Sequence, residues 1–246
     1  MHPSARFHIQ DRAEMEALVR TEGFGIVTVQ TADGLRCVHA PLLIDGDRLR
    51  FHVSRSNAVH SALLAGGPAL AVVNGPHAYV SPDWYGLEDR VPTWSYVAVE
   101  IEGPVRVLDP GALVQILDDM SARHEARLAP KPAWTRDRMS AGRFEGLLKG
   151  ITGFELEIAA WRGTSKIDQD KPVEVRSRIA AALAERGDAG MANLYSSPAF
   201  AGEGDQPKAG GGARAERADL ASPSASLRAP PPRDARSPSP KNPGED

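Results

Sequence analysis

The stretch from Gly75 to Tyr96 carries an unusual density of rings and hydroxyls for a connection between strands. It reads GPHAYVSPDWYGLEDRVPTWSY, and two of its prolines follow Ser81 and Val91. Because proline fixes its own φ and restricts the preceding residue, the segment is predicted to be stiff. Rings held at low entropic cost pack against a flat, conjugated ligand, and hydroxyls meet its polar edge. The stretch therefore predicts a site for such a ligand, and an aromatic cluster under a long loop is the simpler alternative.

The alternation of side chains along a strand predicts which of these residues share a face. His77, Tyr79 and Ser81 are two apart, so they share one face if the segment is a strand. We predict that they form one wall of the ligand site together with three residues from the end of the stretch, namely Thr93, Trp94 and Tyr96.

Anion donors are predicted at a second segment, Val53 to Asn57. It leaves a predicted strand and enters a helix predicted from about residue 57 to 65. Free N–H groups at a helix start, serine hydroxyls and the Arg55 fork suit a phosphate, which makes Arg55, Ser56 and Asn57 the candidates. From the residues alone, an ordinary helix cap beside a solvated arginine is the alternative.

These motifs resemble those of the PaiB family of FMN-binding negative transcriptional regulators. GPHAYVSPDWY followed by VPTWSY is similar to the family's GPHAYISPSWY and VPTWNY, and HAPLLID (39–45), the Arg55 and Asn57 pair, and LKGITGFELEI (148–158) follow in the family's order. The likeness extends from residue 1 to about 188. It implies a split β-barrel that binds FMN at a homodimer interface and represses genes, with the phosphate at Arg55 and the isoalloxazine against the predicted wall.

A third segment, Gly163 to Lys171, both matches the family and departs from it. Lys166 and Gln169 match and are taken as cofactor-binding candidates, whereas Asp168 and Asp170 stand where the family more typically has serine and asparagine. A carboxylate beside the ligand's negative charge opposes binding, so replacing Asp168 by serine is expected to tighten it. Asp170 is also placed to cap a following helix.

The elements that position these residues are mostly short strands. Asp11 and Glu14 predict a capped helix that Gly23 ends. Asp-Gly turns then separate strands 25–31, 35–44 and 48–53, which are predicted to form a meander. Further strands are predicted at 69–75, 78–81, 95–108 and 151–161, with helices across 110–150 and at 173–186.

Many strands without regular βαβ alternation predict a mainly β fold, an antiparallel barrel with flanking helices. The resemblance narrows this to the split barrel. We assign residues 1–188 to this domain.

The last part of the chain has a different composition. From Ser196 onward it holds nine of the 20 prolines and few large apolar residues. Such a segment buries too little surface to offset its chain entropy, so residues 189–246 are predicted to form a disordered tail. The tail is either an arm that recruits a partner or an unselected extension.

Charge and motifs limit the function classes. With 29 basic and 32 acidic residues, the chain has no strong field that would attract nucleic acid. Helix 173–186 has mixed charge and is interpreted as solvated rather than as a DNA-recognition helix. A single cysteine and the lack of a long apolar run predict a cytoplasmic protein without a membrane span. No metal-ligand spacing or catalytic motif is found, so no metal or catalytic residue is assigned.

Two function classes remain. One is an FMN-binding negative regulator of transcription, a homodimer that contacts DNA or a regulatory protein. The other is an FMN-dependent oxidoreductase of the pyridoxamine-oxidase-like or flavin-reductase-like group, in which the protein orients the flavin and the flavin supplies the chemistry.

Overall fold

The computed structural model describes residues 2–197, which are built around one antiparallel sheet of nine strands. The strands are β1 (His8–Ile9), β2 (Phe24–Thr31), β3 (Gly34–Pro41), β4 (Leu43–Asp45), β5 (Arg48–Ser54), β6 (Gly67–Val80), β7 (Thr93–Val107), β8 (Ile151–Glu157) and β9 (Ala160–Lys166). The helices are α1 (Arg12–Glu22), α2 (His60–Leu64), α3 (Pro110–Ala126), α4 (Arg143–Leu148), α5 (Val173–Glu185) and α6 (Ala189–Ser196). Short 3₁₀ helices cover Ala5–Phe7, Pro82–Tyr85 and Arg136–Arg138.

The strands follow the order β3, β2, β6, β7, β8, β5, β4, and β9 pairs with β1 and β7. Side chains alternate between a buried and an outer face, as in β5, where Leu49, Phe51 and Val53 are buried. The buried faces share one continuous apolar core. The prediction of a mainly β, antiparallel split barrel with flanking helices is confirmed.

The predicted meander of three strands is wrong in its pairing. The run 35–44 breaks at Leu42, whose N–H donates to the Gly23 carbonyl oxygen at 2.9 Å. The two halves, β3 and β4, pair with β2 and β5 respectively and lie at opposite ends of the strand order. The Asp-Gly turns are where they were predicted, since Thr31 faces Gly34 and Asp45 faces Arg48. Turn chemistry thus predicts each hairpin, but it carries no information on where the second hairpin joins the sheet.

β7 pairs with two different strands, β9 and β8, along one of its edges. Residues 96–102 of β7 pair with β9, and residues 105–107 pair with β8. Between them lies Gly103, where an added Cβ would stand 1.8 Å from the Glu157 carbonyl oxygen. Only glycine allows this close approach of two backbones. The single strand predicted at 151–161 is therefore two strands.

The connection between β8 and β9 is only two residues long. The Ile158 N–H donates to the Asp47 carbonyl oxygen, and the Ala159 N–H donates to the Glu102 carbonyl oxygen, both at 2.9 Å. These bonds hold the connection against the sheet on both sides.

The described fold continues past the predicted boundary at residue 188. α6 follows α5 closely, and its Met191, Ala192 and Tyr195 are buried in the core. Residues 198–246, the rest of the predicted tail, lie outside the described residues.

α5 is not the solvated helix that its charges suggested. Val175, Ile179 and Leu183 are buried, and so is Arg176, which donates to the Tyr195 carbonyl oxygen at 2.9 Å. The apolar positions recur at helical spacing, so one face packs on the core despite the mixed charge. Within residues 2–197, no helix combines the length and the apolar composition needed to cross a bilayer.

Candidate functional site

The Arg55 turn, residues 54–57, follows β5 and holds the predicted phosphate donors. α2 begins only at His60, so the helix start predicted near residue 57 is wrong, and Ser56 and Asn57 do not cap a helix as the alternative supposed. The Asn57 side-chain oxygen instead accepts from the Val59 N–H at 3.1 Å, which stabilises the turn. The backbone is also occupied, because the Arg55 N–H donates to Gly150 and the Asn57 N–H donates to Ser54.

Side chains are therefore the candidate anion donors of this turn. Arg55 is exposed, and among the described residues its guanidinium has one partner, the Ile151 carbonyl oxygen, 3.3 Å from Nε. The hydroxyls of Ser54 and Ser56 lie 2.9 Å apart. Lys149 lies with Arg55 on a cavity of about 280 Å³. Sequence reasoning missed Lys149, although it stands inside the LKGITG motif, one residue before the glycine that binds the Arg55 backbone.

The aromatic face, formed by His77, Tyr79, Trp94 and Tyr96, lies on the outer side of β6 and β7. Tyr79 stands opposite Trp94, and His77 stands opposite Tyr96. The Trp94 ring centroid is 6.3 Å from that of His77 and 6.4 Å from that of Tyr79. Trp94 is 53% exposed and Tyr79 is 40% exposed. Four of the predicted wall residues are thus brought together on a surface that a flat ring can cover.

The other two wall residues lie elsewhere. Ser81 stands beyond the end of β6 and caps the 3₁₀ helix that begins at Pro82, accepting from the Asp83 N–H at 3.4 Å. Thr93 alternates with Trp94 and belongs to the opposite face of β7. Its hydroxyl accepts from the Lys166 ammonium at 2.5 Å.

Lys166 and Gln169 both bond inside the chain. The Lys166 ammonium also donates to the Trp94 carbonyl oxygen at 2.7 Å, so it fixes the backbone beneath the aromatic face. Burial lowers the Lys166 pKa, and the nearby Asp168 carboxylate opposes this shift. The Gln169 amide donates to the Ser165 carbonyl oxygen at 2.7 Å and accepts from the Ile167 N–H at 3.1 Å. Gln169 thereby shapes the loop after β9.

Asp168 has a structural role that the sequence did not reveal. The hydroxyls of Tyr85 and Tyr195 both donate to its Oδ2, at 2.9 and 2.6 Å. Because the single Tyr195 proton is used there, Ser95 donates to the Tyr195 oxygen at 2.7 Å. Both phenols are buried, and burial followed by the Asp168 charge raises the pKa of each. A carboxylate at 168 thus joins three segments, and we call these four residues the Asp168 network.

Asp170 does not cap α5, because Pro172 is the residue that precedes this helix. Its carboxylate pairs with Arg6 at 3.0 Å and with Lys171 at 2.9 Å. Burial alone would raise the Asp170 pKa, but these cations outweigh it and lower the pKa. The negative charge is therefore compensated within the chain.

A family model described as "Putative FMN-binding domain" matches residues 1–160. The chain belongs to this family. FMN is accordingly its cofactor, as predicted.

Among curated proteins, the chain is similar to the Protease synthase and sporulation protein PAI 2 of Bacillus subtilis (strain 168). The two are 28% identical over 169 residues, which is 67% of this chain and 80% of that protein. The resemblance to the PaiB family is confirmed by these two findings.

Solved structures with a similar backbone arrangement include two flavin proteins. One is the FAD and heme binding protein from Mycobacterium smegmatis, at 20% identity and a TM-score of 0.48, over 65% of this chain and 73% of that chain. The other is the flavocytochrome Anf3 from Azotobacter vinelandii, at 14% identity and a TM-score of 0.49, over 68% and 72%.

The donors of this FMN-binding domain fit the cofactor in kind. The exposed Arg55 fork, Lys149 and the serine hydroxyls suit a phosphate dianion, and the exposed aromatic face suits the isoalloxazine. When bound, FMN supplies redox chemistry to such a site.

Within one chain of the FMN-binding domain, these two groups are far apart. Val107, at the end of β7, lines the cavity beside Arg55, whereas Trp94 lies at the start of the same strand. The thirteen steps between them correspond to about 40 Å of strand at ~3.3 Å per residue. The Arg55 turn and the aromatic face therefore lie at opposite ends of β7.

Proposed function

We propose that this protein is a negative regulator of transcription that binds FMN at a homodimer interface. The observation that carries the proposal is the placement of the Arg55 turn and the aromatic face at opposite ends of β7. FMN is shorter than the length of strand that separates the two groups within one chain. A two-fold axis brings different regions of two identical chains together, so the Arg55 turn of one protomer would meet the aromatic face of its partner.

Exposed apolar side chains near the aromatic face support a dimer. Besides Tyr79 and Trp94, the loop before β7 exposes Leu87 (43%) and Val91 (74%). Exposed apolar side chains of this kind are typical of an interaction site. Tyr85, in the same loop, is buried in the core and contributes nothing to this surface.

We expect the protein to be a homodimer at micromolar concentration, and Trp94→Arg to shift it to monomer. A charge placed in the interface core must be desolvated without a partner, which disfavours association. Leu35→Arg is the matched control, because Leu35 is equally apolar, is 66% exposed and lies at the β2–β3 turn. Sedimentation velocity measures both variants. A wild-type monomer would contradict the proposal.

The regulatory role is supported by membership of the PaiB-like family and by similarity to PAI 2. A formal charge of −3 gives no long-range attraction to DNA. We therefore favour regulation in which a second protein or a small local contact provides the link to the promoter. The flavin would report redox or metabolic state to that complex.

Two assays on the FMN-loaded, full-length protein separate this function from the oxidoreductase alternative. We expect the protein to change transcription from a target promoter in a reconstituted system, and to reduce FMN with NAD(P)H no faster than free flavin reacts. Multiple-turnover flavin reduction with no effect on transcription would favour the oxidoreductase.

A further inference from the structure

Three arginines lie where the C-terminal ends of α1 and α3 come together, and none of them belongs to the candidate flavin site. Arg20 lies in the last turn of α1, and Arg123 and Arg127 lie four residues apart near the end of α3. The Arg127 guanidinium donates to the Arg20 carbonyl oxygen at 2.9 Å. Tight contact between Gly23 and His124 fixes the approach of the two helices, because an added Cβ on Gly23 would lie 3.2 Å from the imidazole.

Arg123 is the unusual member of this cluster. Its Nη1 is buried and has no hydrogen-bond partner among residues 2–197, and its guanidinium makes no ion pair there. Asp119, one turn earlier, accepts from Gln115 instead. Burial first, and then the charges of Arg20 and Arg127, lower the Arg123 pKa, while Asp119 opposes them. A buried donor without an acceptor and a repelled positive charge are both unfavourable.

Helix capping explains only part of the cluster. Cations near a helix C-terminus are stabilised by the helix dipole and by donation to the last carbonyls. Arg127 donates to the Arg20 carbonyl oxygen in the last turn of α1, as this explanation requires, whereas Arg20 donates to the Ile44 carbonyl oxygen of strand β4 at 3.1 Å. Arg123 donates to no carbonyl in the described part of the chain. Arg20 has one acidic neighbour, Glu16, at 3.6 Å, and Glu16 is bound more closely by Arg12 at 2.9 Å.

We propose that Arg20, Arg123 and Arg127 form a binding site for a phosphate group, separate from the flavin phosphate. Guanidinium forks bind phosphate through charge-assisted, bidentate hydrogen bonds, and a dianion offers enough acceptors for three of them. The anion would bind Nε and Nη2 of Arg123, which unlike Nη1 are not buried, and would remove the mutual repulsion. Its source is either a small phosphate ester or the backbone of a nucleic acid, and both have the same recognition chemistry.

The test compares FMN-loaded wild-type protein, Arg123→Gln and Arg55→Ala by thermal unfolding in inorganic phosphate, with ionic strength held constant by chloride. A ligand that binds only the folded state raises the melting temperature with its concentration. We expect phosphate to stabilise wild type and Arg55→Ala, and Arg123→Gln to need at least fivefold more phosphate for the same shift. Arg123→Leu should be as stable as wild type or more stable without phosphate, because it removes an unpaired charge. An equal response of wild type and Arg123→Gln, or no response of either, would overturn the site.

A second measurement identifies the source of the phosphate. Fluorescence anisotropy with a labelled 20-base-pair DNA duplex is recorded for wild type, Arg123→Gln and Arg36→Gln. Arg36 is an exposed arginine on β3 whose guanidinium, within residues 2–197, donates only to the Leu35 carbonyl oxygen, so it controls for loss of one positive charge. Binding that is lost specifically in Arg123→Gln assigns the site to a nucleic-acid backbone. Phosphate-dependent stabilisation without such DNA binding assigns it to a small phosphate ester.

Discussion

Replacing Arg55 by alanine is expected to weaken FMN binding by one to two orders of magnitude. Hydrogen bonds to a charged group contribute about 1.5–3 kcal/mol, which corresponds to roughly 10- to 100-fold in the dissociation constant. The guanidinium of Arg55 is exposed and has one hydrogen bond within the described chain, so it can bind a phosphate by exchanging water rather than by breaking bonds to other residues. Fluorescence titration of apo-protein with FMN measures the effect.

Two further variants make this test specific. Arg55→Lys should recover part of the affinity, because an ammonium keeps the charge and lacks the fork. Arg36→Ala removes an equally exposed arginine from another strand and should bind FMN as wild type does. Equal affinities of wild type and Arg55→Ala would exclude the Arg55 turn as the phosphate site.

Replacing Asp168 by alanine is expected to destabilise the fold by about 3–6 kcal/mol. The change leaves the buried hydroxyls of Tyr85 and Tyr195 without their shared acceptor, and each hydrogen bond to a charged group contributes about 1.5–3 kcal/mol. For a domain of this size the melting temperature should fall by roughly 6–24 °C. Calorimetry or circular dichroism measures the fall.

The conservative change Asp168→Asn should cost much less. Its amide oxygen still accepts hydrogen bonds, and asparagine, like aspartate, tolerates the left-handed backbone found here, with φ at 55°. Asp170→Ala is the neighbouring control, since its partners are surface cations and such pairs contribute about 0–1 kcal/mol. A similar loss of stability in Asp168→Ala and Asp170→Ala would refute the role of the Asp168 network.

The Asp168 network also changes the expectation for Asp168→Ser. From the sequence, removal of a repulsive carboxylate should tighten FMN binding. In the structure this carboxylate is bound by two phenols, and a serine is too short to reach both. We now expect Asp168→Ser to lose stability without any gain in FMN affinity.

Local signals predicted the local structure well. Asp11 and Gly23 bound α1 as expected: Asp11 accepts from the Ala13 N–H at 2.8 Å, and Gly23 has a left-handed φ of 61°. The Asp-Gly turns lie at the predicted positions, and Tyr79 and Trp94 lie on one face because strand alternation is strict. These features depend on neighbouring residues, which a sequence displays directly.

Features that depend on distant partners were not predictable. Tyr85 and Tyr195 lie 83 and 27 residues from Asp168, and no periodicity links them to it. Glu155 is a charged residue, yet it is 2% exposed because Arg50 and Arg106 on the two adjacent strands pair with it. The break at Leu42 likewise follows from a hydrogen bond to the Gly23 carbonyl oxygen. Gly23 lies outside the strand predicted at 35–44, so that strand's own sequence does not indicate the break. Charged and hydroxyl side chains could be named from the sequence as candidate site residues. Their roles follow from contacts between residues that are distant in the sequence.

The two-residue link between β8 and β9 makes the edge of β7 intolerant of insertions. Before the link, Leu156 of β8 pairs with Val105 of β7. After the link, Lys166 at the end of β9 pairs with Tyr96 of β7. One additional residue at Ile158 or Ala159 would slip β9 by one position and turn every side chain of that strand to the opposite face. Lys166 would then leave the Trp94 carbonyl oxygen. Loop-length variation in homologous chains is therefore expected elsewhere on the barrel, while this joint keeps its length.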